Sequence, residues 1–223
     1  ILLKKIINFI FIKILYPKKI LIQSVFFRAN YSYLKRFFDV FFSFILIILL
    51  LPIIIITVFL LYLNLKENPF FIQERPGYKE KTFYLIKLKT MKSINKSRRY
   101  LSDEERVTKF TKIIRKLRID EFPQILNIIK GDMSFVGPRP LLLEYLDLYS
   151  EKERIRHSVL PGITGLAQIN GSERLEFKKR LKLDVDYVRK LSFAKDLKII
   201  FLTFIYVFKD FSNKVDHSKL PKF

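Results

Sequence analysis

The stretch VFFSFILIILLLPIIIITVFLLYL, residues 40–63, decides how this chain is arranged, because its 24 residues include no charged side chain. At about 1.5 Å per residue, a helix of this length can cross the roughly 30 Å hydrocarbon core of a bilayer. Pro52 lies near its middle, and a proline inside a helix removes one hydrogen bond and clashes with the preceding turn. The stretch therefore predicts a membrane helix that kinks or breaks near Pro52.

Basic residues on both sides of this stretch bear on its path through the membrane. Lys35 and Arg36 precede it, and Lys66 and Arg75 are the first of several that follow. Positive flanks favour the cytoplasmic side. A spanning helix would place one basic flank outside, whereas a helix that enters, breaks and leaves by the same face keeps both inside. We therefore predict a membrane-inserted, re-entrant helix over residues 33–66, with a spanning helix as the alternative.

The composition fits a protein that lies against anionic lipid. Lys and Arg number 42 against 21 Asp and Glu, the formal net charge is +21, and half of the residues are hydrophobic. Each Lys or Arg close to an anionic membrane surface gains about 1 kcal/mol. The basic residues are dispersed and form no known nucleic-acid-binding motif, so we expect no nucleic-acid partner. The absence of Cys excludes disulfides and thiolate metal sites.

The rest of the chain predicts an α+β fold that is mostly helical. We expect a basic apolar leader over residues 1–32, one cytoplasmic catalytic domain over 67–210 and a polar tail over 211–223. We predict a strand at Thr82–Ile86 and an extended piece at 167–171, with turns at 73–77 and 161–165. Helices are predicted at 110–117, 122–129 and 176–190. A further, apolar helix at 196–209 is predicted to lie flat in the membrane interface. Gly131 is predicted to end the second of these helices.

Two adjacent carboxylates, Asp120 and Glu121, carry the clearest chemical signal. They are followed by GDMSFVGPRP, residues 131–140, a Gly/Pro-rich turn that presents Arg139. Carboxylates hold divalent metals or attack phosphorus, and arginines grip phosphate through two parallel hydrogen bonds. The segment therefore predicts phosphoryl-transfer chemistry at a membrane. In the structural alternative, Asp120 caps the following helix and Arg139 is a solvated loop residue. We expect His157 to lie at a surface or interface rather than to act as a catalytic base.

Several motifs in order resemble those of the small monotopic phosphoglycosyl transferases, also called bacterial sugar transferases or polyprenyl-phosphate sugar-1-phosphate transferases. The resemblance runs from about Tyr33 to Asp210. The motifs are KRFFD (35–39), QERPG (73–77), KLKTM (87–91), DE (120–121), GDMSFVGPRP (131–140), PGITGLAQING (161–171) and LDVDYV (183–188). One departure is Leu51, where many members carry Ser before the membrane proline, so that Pro52 alone must produce the break.

The resemblance implies transfer of a sugar-1-phosphate from a UDP-sugar to a polyprenyl phosphate, with release of UMP, at the cytoplasmic face of the inner membrane. It implies that Asp120 is a nucleophile forming a phosphosugar-aspartyl intermediate and that Glu121 holds Mg²⁺. By the same resemblance Arg115, Arg139 and Lys89 bind substrate phosphate, and Asp184 lies near the site.

Membrane lipid is a further expected partner, and downstream glycosyltransferases would extend the product. The alternative from another class is a non-catalytic, basic membrane-surface protein that binds anionic or glycan-carrier lipid.

Overall fold

The computed structural model describes the backbone of residues 17–93, 102, 105–171 and 175–212, and side chains from residue 31 to 207 within those ranges. The chain divides into two units, residues 1–38 and 39–223. In the first unit the described part is helical. The predicted leader and tail fall largely outside the described side chains, and their boundaries stay predictions.

The longest element is helix α1, Pro17–Leu65. Its part from Tyr31 to Leu65 is long and apolar enough to cross a membrane; its most apolar 18-residue window has a mean hydropathy of 3.4, and only 11% of that window is buried. A core helix of a soluble protein would be mostly buried, so this exposure favours a membrane helix. Pro52 lies inside α1, which continues through it. The predicted break is therefore not confirmed, and the re-entrant path stays a prediction.

A β-hairpin follows α1. Strands β1 (Phe70–Pro76) and β2 (Thr82–Leu88) pair in antiparallel register, with Phe71 opposite Lys87. Our prediction of a turn at residues 73–77 was wrong, because residues 73–76 pair with β2 and only the residues after Pro76 turn, through a short 3-10 helix at Tyr78–Glu80. Phe83 and Leu85, on one face of β2, enter the core. Lys87 shares that face because side chains alternate along a strand.

Two short helices come next, within one or two residues of their predicted positions. Helix α2 spans Lys109–Lys116 and helix α3 spans Gln124–Lys130, with a 3-10 helix at Ile119–Glu121 between them. Thr108 caps α2, and its hydroxyl accepts a hydrogen bond from the Thr111 amide. Gly131 ends α3 in the left-handed region at φ 97°, which confirms its predicted role.

The C-terminal half is built around two short parallel strands, β3 (Ser134–Val136) and β4 (Gly162–Thr164). The backbones approach so closely that a Cβ on Gly162 would lie 2.1 Å from the Gly137 nitrogen. The segment predicted as a turn at 161–165 therefore contains a strand. The prediction of an extended piece at 167–171 was also wrong, because this segment is mostly a helical turn.

The remaining helices surround these strands. Their bounds are α4, Glu151–Arg154; α5, Leu166–Ile169; α6, Phe177–Arg189; and α7, Phe193–Ser212, with 3-10 helices at Leu143–Leu148 and Ile155–Ser158. The Tyr187 hydroxyl in α6 lies within hydrogen-bond distance of two acceptors, the Val136 carbonyl of β3 at 3.1 Å and the Oδ1 of Asp196 in α7 at 2.8 Å. Ile199 of α7 is buried beside Val136. The fold is thus α+β and mostly helical, as predicted.

Helix α7 has two distinct faces. Its buried side contributes Ile199, whereas Phe193, Leu197, Phe201 and Phe204 are exposed. The spacing of these four residues places them along one stripe of the helix. The helix therefore presents an exposed apolar stripe, and its placement in the membrane interface stays a prediction.

Candidate active site

Asp120 and Glu121 lie together on the 3-10 helix that follows α2. Arg118, just before it, adopts a left-handed backbone with φ 57°, which ends α2 and redirects the chain. Both carboxylates are buried, Asp120 at 9% and Glu121 at 8% exposure. Helix α3 begins only at Gln124 and has no side-chain cap. The alternative interpretation of Asp120 as a helix cap was therefore wrong.

Glu121 is held by two arginines. The Nη2 of Arg139 donates to its Oε1 at 2.8 Å, and the Nη1 of Arg118 lies 3.5 Å from the same oxygen. Burial by itself raises the pKa of Glu121, but the charges of Arg139 and Arg118 outweigh it, so the pKa lies below its usual value. Glu121 is therefore a carboxylate at neutral pH.

Asp120 differs from its neighbour because its Oδ1 is buried and has no hydrogen-bond partner among the described residues. Burial, together with the charge of Glu121, raises the pKa of Asp120 to about 6, although Lys87, Arg118 and Arg115 act in the opposite direction. An unsatisfied buried carboxylate is costly for a protein to keep. Such a group with a perturbed pKa, surrounded by cations, is typical of a functional site.

Lys87 is a site residue that the sequence analysis missed. Strand β2 contacts the 3-10 helix that bears Asp120, and the pKa of Lys87 is lowered chiefly by burial, while the negative charge of Asp120 raises it. Its ammonium also lies 5.0 Å from the centre of the Phe71 ring. The alternation Phe83, Leu85, Lys87 on the core face of β2 was the signal that could have identified it.

Lys89, the predicted phosphate-binding lysine, is engaged elsewhere. Its ammonium pairs with the carboxylate of Glu67 and donates to the Ser93 hydroxyl at 2.5 Å. The structure thus brings Lys87 towards the carboxylate pair and places Lys89 in a separate polar cluster. A role for Lys89 in binding phosphate stays a prediction.

Asn127 fixes β2 relative to this site. It is fully buried on α3; its Nδ2 donates to the Tyr84 carbonyl at 2.7 Å, and its Oδ1 accepts from the Ile86 amide at 3.1 Å. The side chain thus satisfies the free edge of β2 as a neighbouring strand would. Lys87 directly follows this clamped segment.

The other residues named in the sequence analysis differ in how they relate to Asp120 and Glu121. Arg115 is exposed at the end of α2, and its charge acts on Asp120. Arg139 contacts Glu121 directly. Asp184 is buried in α6 and pairs with Arg156 at 2.8 Å. His157, expected at a surface, is only 6% exposed, with its Nδ1 3.2 Å from the Gly77 carbonyl, because the 3-10 helix at Ile155–Ser158 turns it inward.

The donor set suits a magnesium ion without forming an all-protein cage. No group of three or more acidic or histidine side chains lies together in the part of the chain that the structure describes. Mg²⁺ is usually held by one or two carboxylates together with waters and substrate phosphates. The ionised Glu121 provides a hard oxygen of that kind.

Comparisons with known proteins identify the family of the chain. The family model described as bacterial sugar transferase matches residues 30–210. The chain is 49% identical over 171 residues to the uncharacterized sugar transferase EpsL of Bacillus subtilis, covering 76% of this chain and 85% of that protein. It is 34% identical to the exopolysaccharide production protein ExoY of Sinorhizobium fredii, covering 76% and 83%.

A further relative carries a named reaction. The UDP-glucose:undecaprenyl-phosphate glucose-1-phosphate transferase of Escherichia coli is 35% identical over 192 residues, which cover 81% of this chain but only 41% of that longer protein. The long apolar helix α1 and the matched family together indicate membrane association. With the family model spanning most of the chain and every predicted motif within or close to it, this protein belongs to the bacterial sugar transferase family.

Proposed function

We propose that this enzyme transfers a sugar-1-phosphate from a UDP-sugar to a polyprenyl phosphate, releasing UMP, through a covalent intermediate on Asp120. One observation carries the proposal: the Oδ1 of Asp120 is buried and lacks a hydrogen-bond partner among the described residues, while the charges of Lys87, Arg115 and Arg118 act on it. A named relative acts on UDP-glucose and undecaprenyl phosphate, which supports these substrate classes.

In the first step the Oδ1 of Asp120 attacks the sugar-proximal phosphorus of the UDP-sugar. A new bond forms between this oxygen and phosphorus, and the bond from that phosphorus to the UMP oxygen breaks, so UMP leaves as an anion. In the second step a phosphate oxygen of the lipid attacks the same phosphorus and releases the Asp120 carboxylate. Dividing the reaction in this way separates the soluble donor from the lipid acceptor.

The basic side chains suit the charge that moves in both steps. Lys87 and Arg115 act electrostatically on Asp120, and Arg139 extends from the Pro138–Pro140 turn to Glu121. Fixed cations of this kind stabilise phosphoryl groups during transfer. When Mg²⁺ is bound, with Glu121 as its protein ligand, it neutralises charge on the diphosphate and on the leaving UMP.

The contacts of α1 support a re-entrant path with both basic flanks on the cytoplasmic side. Just before the apolar stretch Asp39 accepts a hydrogen bond from the Phe135 amide at 3.3 Å, and near the C-terminal end of α1 Leu61 and Leu65 pack with Leu88 and Ile114. Both ends of the apolar stretch therefore contact the same domain. A spanning helix would hold them on opposite sides of the membrane.

The part of α1 that the rest of the protein does not bury is short, and its length supports the same proposal. Ser43 and Thr57 are buried, and no residue from 44 to 56 between them is. These 13 residues measure about 20 Å along a helix, which is shorter than a hydrocarbon core of roughly 30 Å. We propose that this segment, which includes Pro52, enters the cytoplasmic leaflet and returns.

UMP release tests the proposed activity. The detergent-solubilised chain should release UMP from at least one of a panel of UDP-sugars when Mg²⁺ and undecaprenyl phosphate are present. Asp120→Asn should lose turnover by several orders of magnitude, as removal of a nucleophile commonly does. Release of no UMP from any donor would instead favour the non-catalytic lipid-binding alternative.

A further inference from the structure

Arg156 is a buried arginine that neither the motifs nor the proposed mechanism uses. Its side chain is 1% exposed, and all three of its nitrogens are engaged. The Nε and Nη2 donate to the Oδ2 of Asp184 at 3.1 and 2.8 Å, and the Nη1 donates to the Tyr149 hydroxyl at 3.1 Å. The guanidinium also lies 5.4 Å from the centre of the Tyr149 ring.

One contact of Arg156 connects this buried cluster to the active site. Its Nη2 donates to the backbone carbonyl of Arg139 at 2.6 Å, and the Arg139 side chain in turn donates to Glu121 at 2.8 Å. Arg139 lies between Pro138 and Pro140, neither of which has an amide hydrogen to hold the turn. The turn is therefore fastened from outside, by Arg156 and by the Gly162 amide, which donates to the Pro138 carbonyl at 3.0 Å.

We propose that Arg156, oriented by Asp184 and Tyr149, is a positioning residue that fixes the Arg139 backbone so that its guanidinium meets Glu121 and the substrate phosphate. The proposal rests on the function proposed above. It gives a structural reason for the place near the site that the resemblance implies for Asp184, whose Oδ2 contacts Arg156 rather than Asp120 or Glu121. A planar guanidinium fits this task because it makes several fixed hydrogen bonds at once, which a lysine cannot do.

A double-mutant cycle separates positioning from general stabilisation. Arg156→Lys keeps the charge but removes the planar fork. We expect it to lower kcat for UMP release on the order of tenfold to a hundredfold, because small displacements of a positioned group have effects of that size. In the Arg139→Ala background the side chain to be positioned is gone, so Arg156→Lys should change kcat by less than about threefold. An equal fractional loss in both backgrounds would overturn the proposal.

Two further variants keep the test decisive. Tyr149→Phe removes one hydrogen bond to Arg156 and should show a smaller loss with the same dependence on Arg139. Arg154→Lys is the matched control, because Arg154 lies two residues away, donates to Glu80 and the Leu146 carbonyl, and does not contact Arg139. It should leave kcat unchanged; a loss equal to that of Arg156→Lys would show a general effect of this segment and contradict the proposal.

Hydrogen exchange provides a readout that does not need activity. The backbone amides of Gly137, which donates to the Thr164 carbonyl, and of Gly162, which donates to the Pro138 carbonyl, should lose protection in Arg156→Lys and keep it in Arg154→Lys. If the wild type releases no UMP but this pattern is seen, the proposed function fails and the positioning contact stands. If protection is the same in both variants, Arg156 does not hold the turn.

Discussion

The side chain of Asn127 and the backbone of Tyr84 meet at 2.7 Å, the amide of one donating to the carbonyl of the other. With the second bond from the Ile86 amide, this contact joins α3 to the open edge of β2. It fixes the strand that carries Lys87 relative to the 3-10 helix that carries Asp120. The geometry of the proposed active site therefore depends on an uncharged residue whose described side-chain hydrogen bonds include neither Asp120 nor Glu121.

Asn127→Ala should destabilise the fold. It leaves the Tyr84 carbonyl and the Ile86 amide without this partner, and a buried polar group left unsatisfied costs about 1–3 kcal/mol. We expect a clearly lower Tm in detergent. Asn127→Asp should not rescue it, because its carboxylate would be buried against the Tyr84 carbonyl and the Asp132 carboxylate. A Tm for Asn127→Ala equal to that of the wild type would show that the clamp contributes little.

Glu121 tests the metal role. EDTA should abolish UMP release by the wild type, and Mg²⁺ should restore it. Glu121→Gln removes a charged hard-oxygen ligand, so we expect low activity that additional Mg²⁺ recovers only slightly. Glu151→Gln, at an exposed position in α4, is the matched control and should behave as wild type. Undiminished activity in EDTA would contradict the metal role.

The burial of His157 predicts that the stability of the folded protein depends on pH. Burial, with a smaller contribution from the Arg156 charge, lowers the pKa of His157 to about 4, whereas a histidine in an unfolded chain titrates near 6.5. Between these values the unfolded state binds a proton that the folded state does not. Stability is therefore complete above about pH 6.5 and declines as the pH falls towards 4.

The measurement is Tm in detergent at pH 7 and pH 5. On going from pH 7 to pH 5, the Tm of the wild type should fall further than the Tm of His157→Asn, which can still donate to the Gly77 carbonyl but does not titrate. Other acidic and basic groups are common to both proteins and cancel in the comparison. Equal losses in the two proteins would mean that His157 is not the group responsible.

The re-entrant path predicts one accessibility for two single cysteines in this cysteine-free chain. Cysteines at Ser32 and at Lys81, both exposed positions, should resist a membrane-impermeant thiol reagent in intact cells and react after lysis. Labelling of the Ser32 cysteine from outside, with the Lys81 cysteine protected, would show a spanning helix.

The sequence alone predicted the elements with strong local signals. The uncharged run identified α1, Gly131 ended α3, and the adjacent carboxylates indicated the candidate site, because each depends on residues close together in the chain. Two of the errors came from long-range contacts. Residues 73–76 form a strand only because β2 pairs with them, and residues 162–164 only because β3 lies alongside.

The difference between local sequence signals and long-range contacts also applies to the candidate site. Lys87 and Lys89 are two residues apart and chemically identical, and only the packing of β2 against the 3-10 helix distinguishes them. Arg156 lies outside every motif quoted above, and its role depends on contacts with Asp184 and Arg139, which are 28 and 17 residues away. Residues that act through others have no local sequence pattern to reveal them.

The central claim is that Asp120 carries the sugar phosphate between two substrates. Isotope exchange without lipid acceptor tests it most directly: labelled UMP is incubated with the accepted UDP-sugar, Mg²⁺ and enzyme. Label enters the UDP-sugar only if UMP leaves and returns while the sugar phosphate stays on the enzyme. We predict exchange with the wild type and none with Asp120→Asn. A wild type that turns over with lipid but shows no exchange without it, or exchange that survives in Asp120→Asn, would contradict the account.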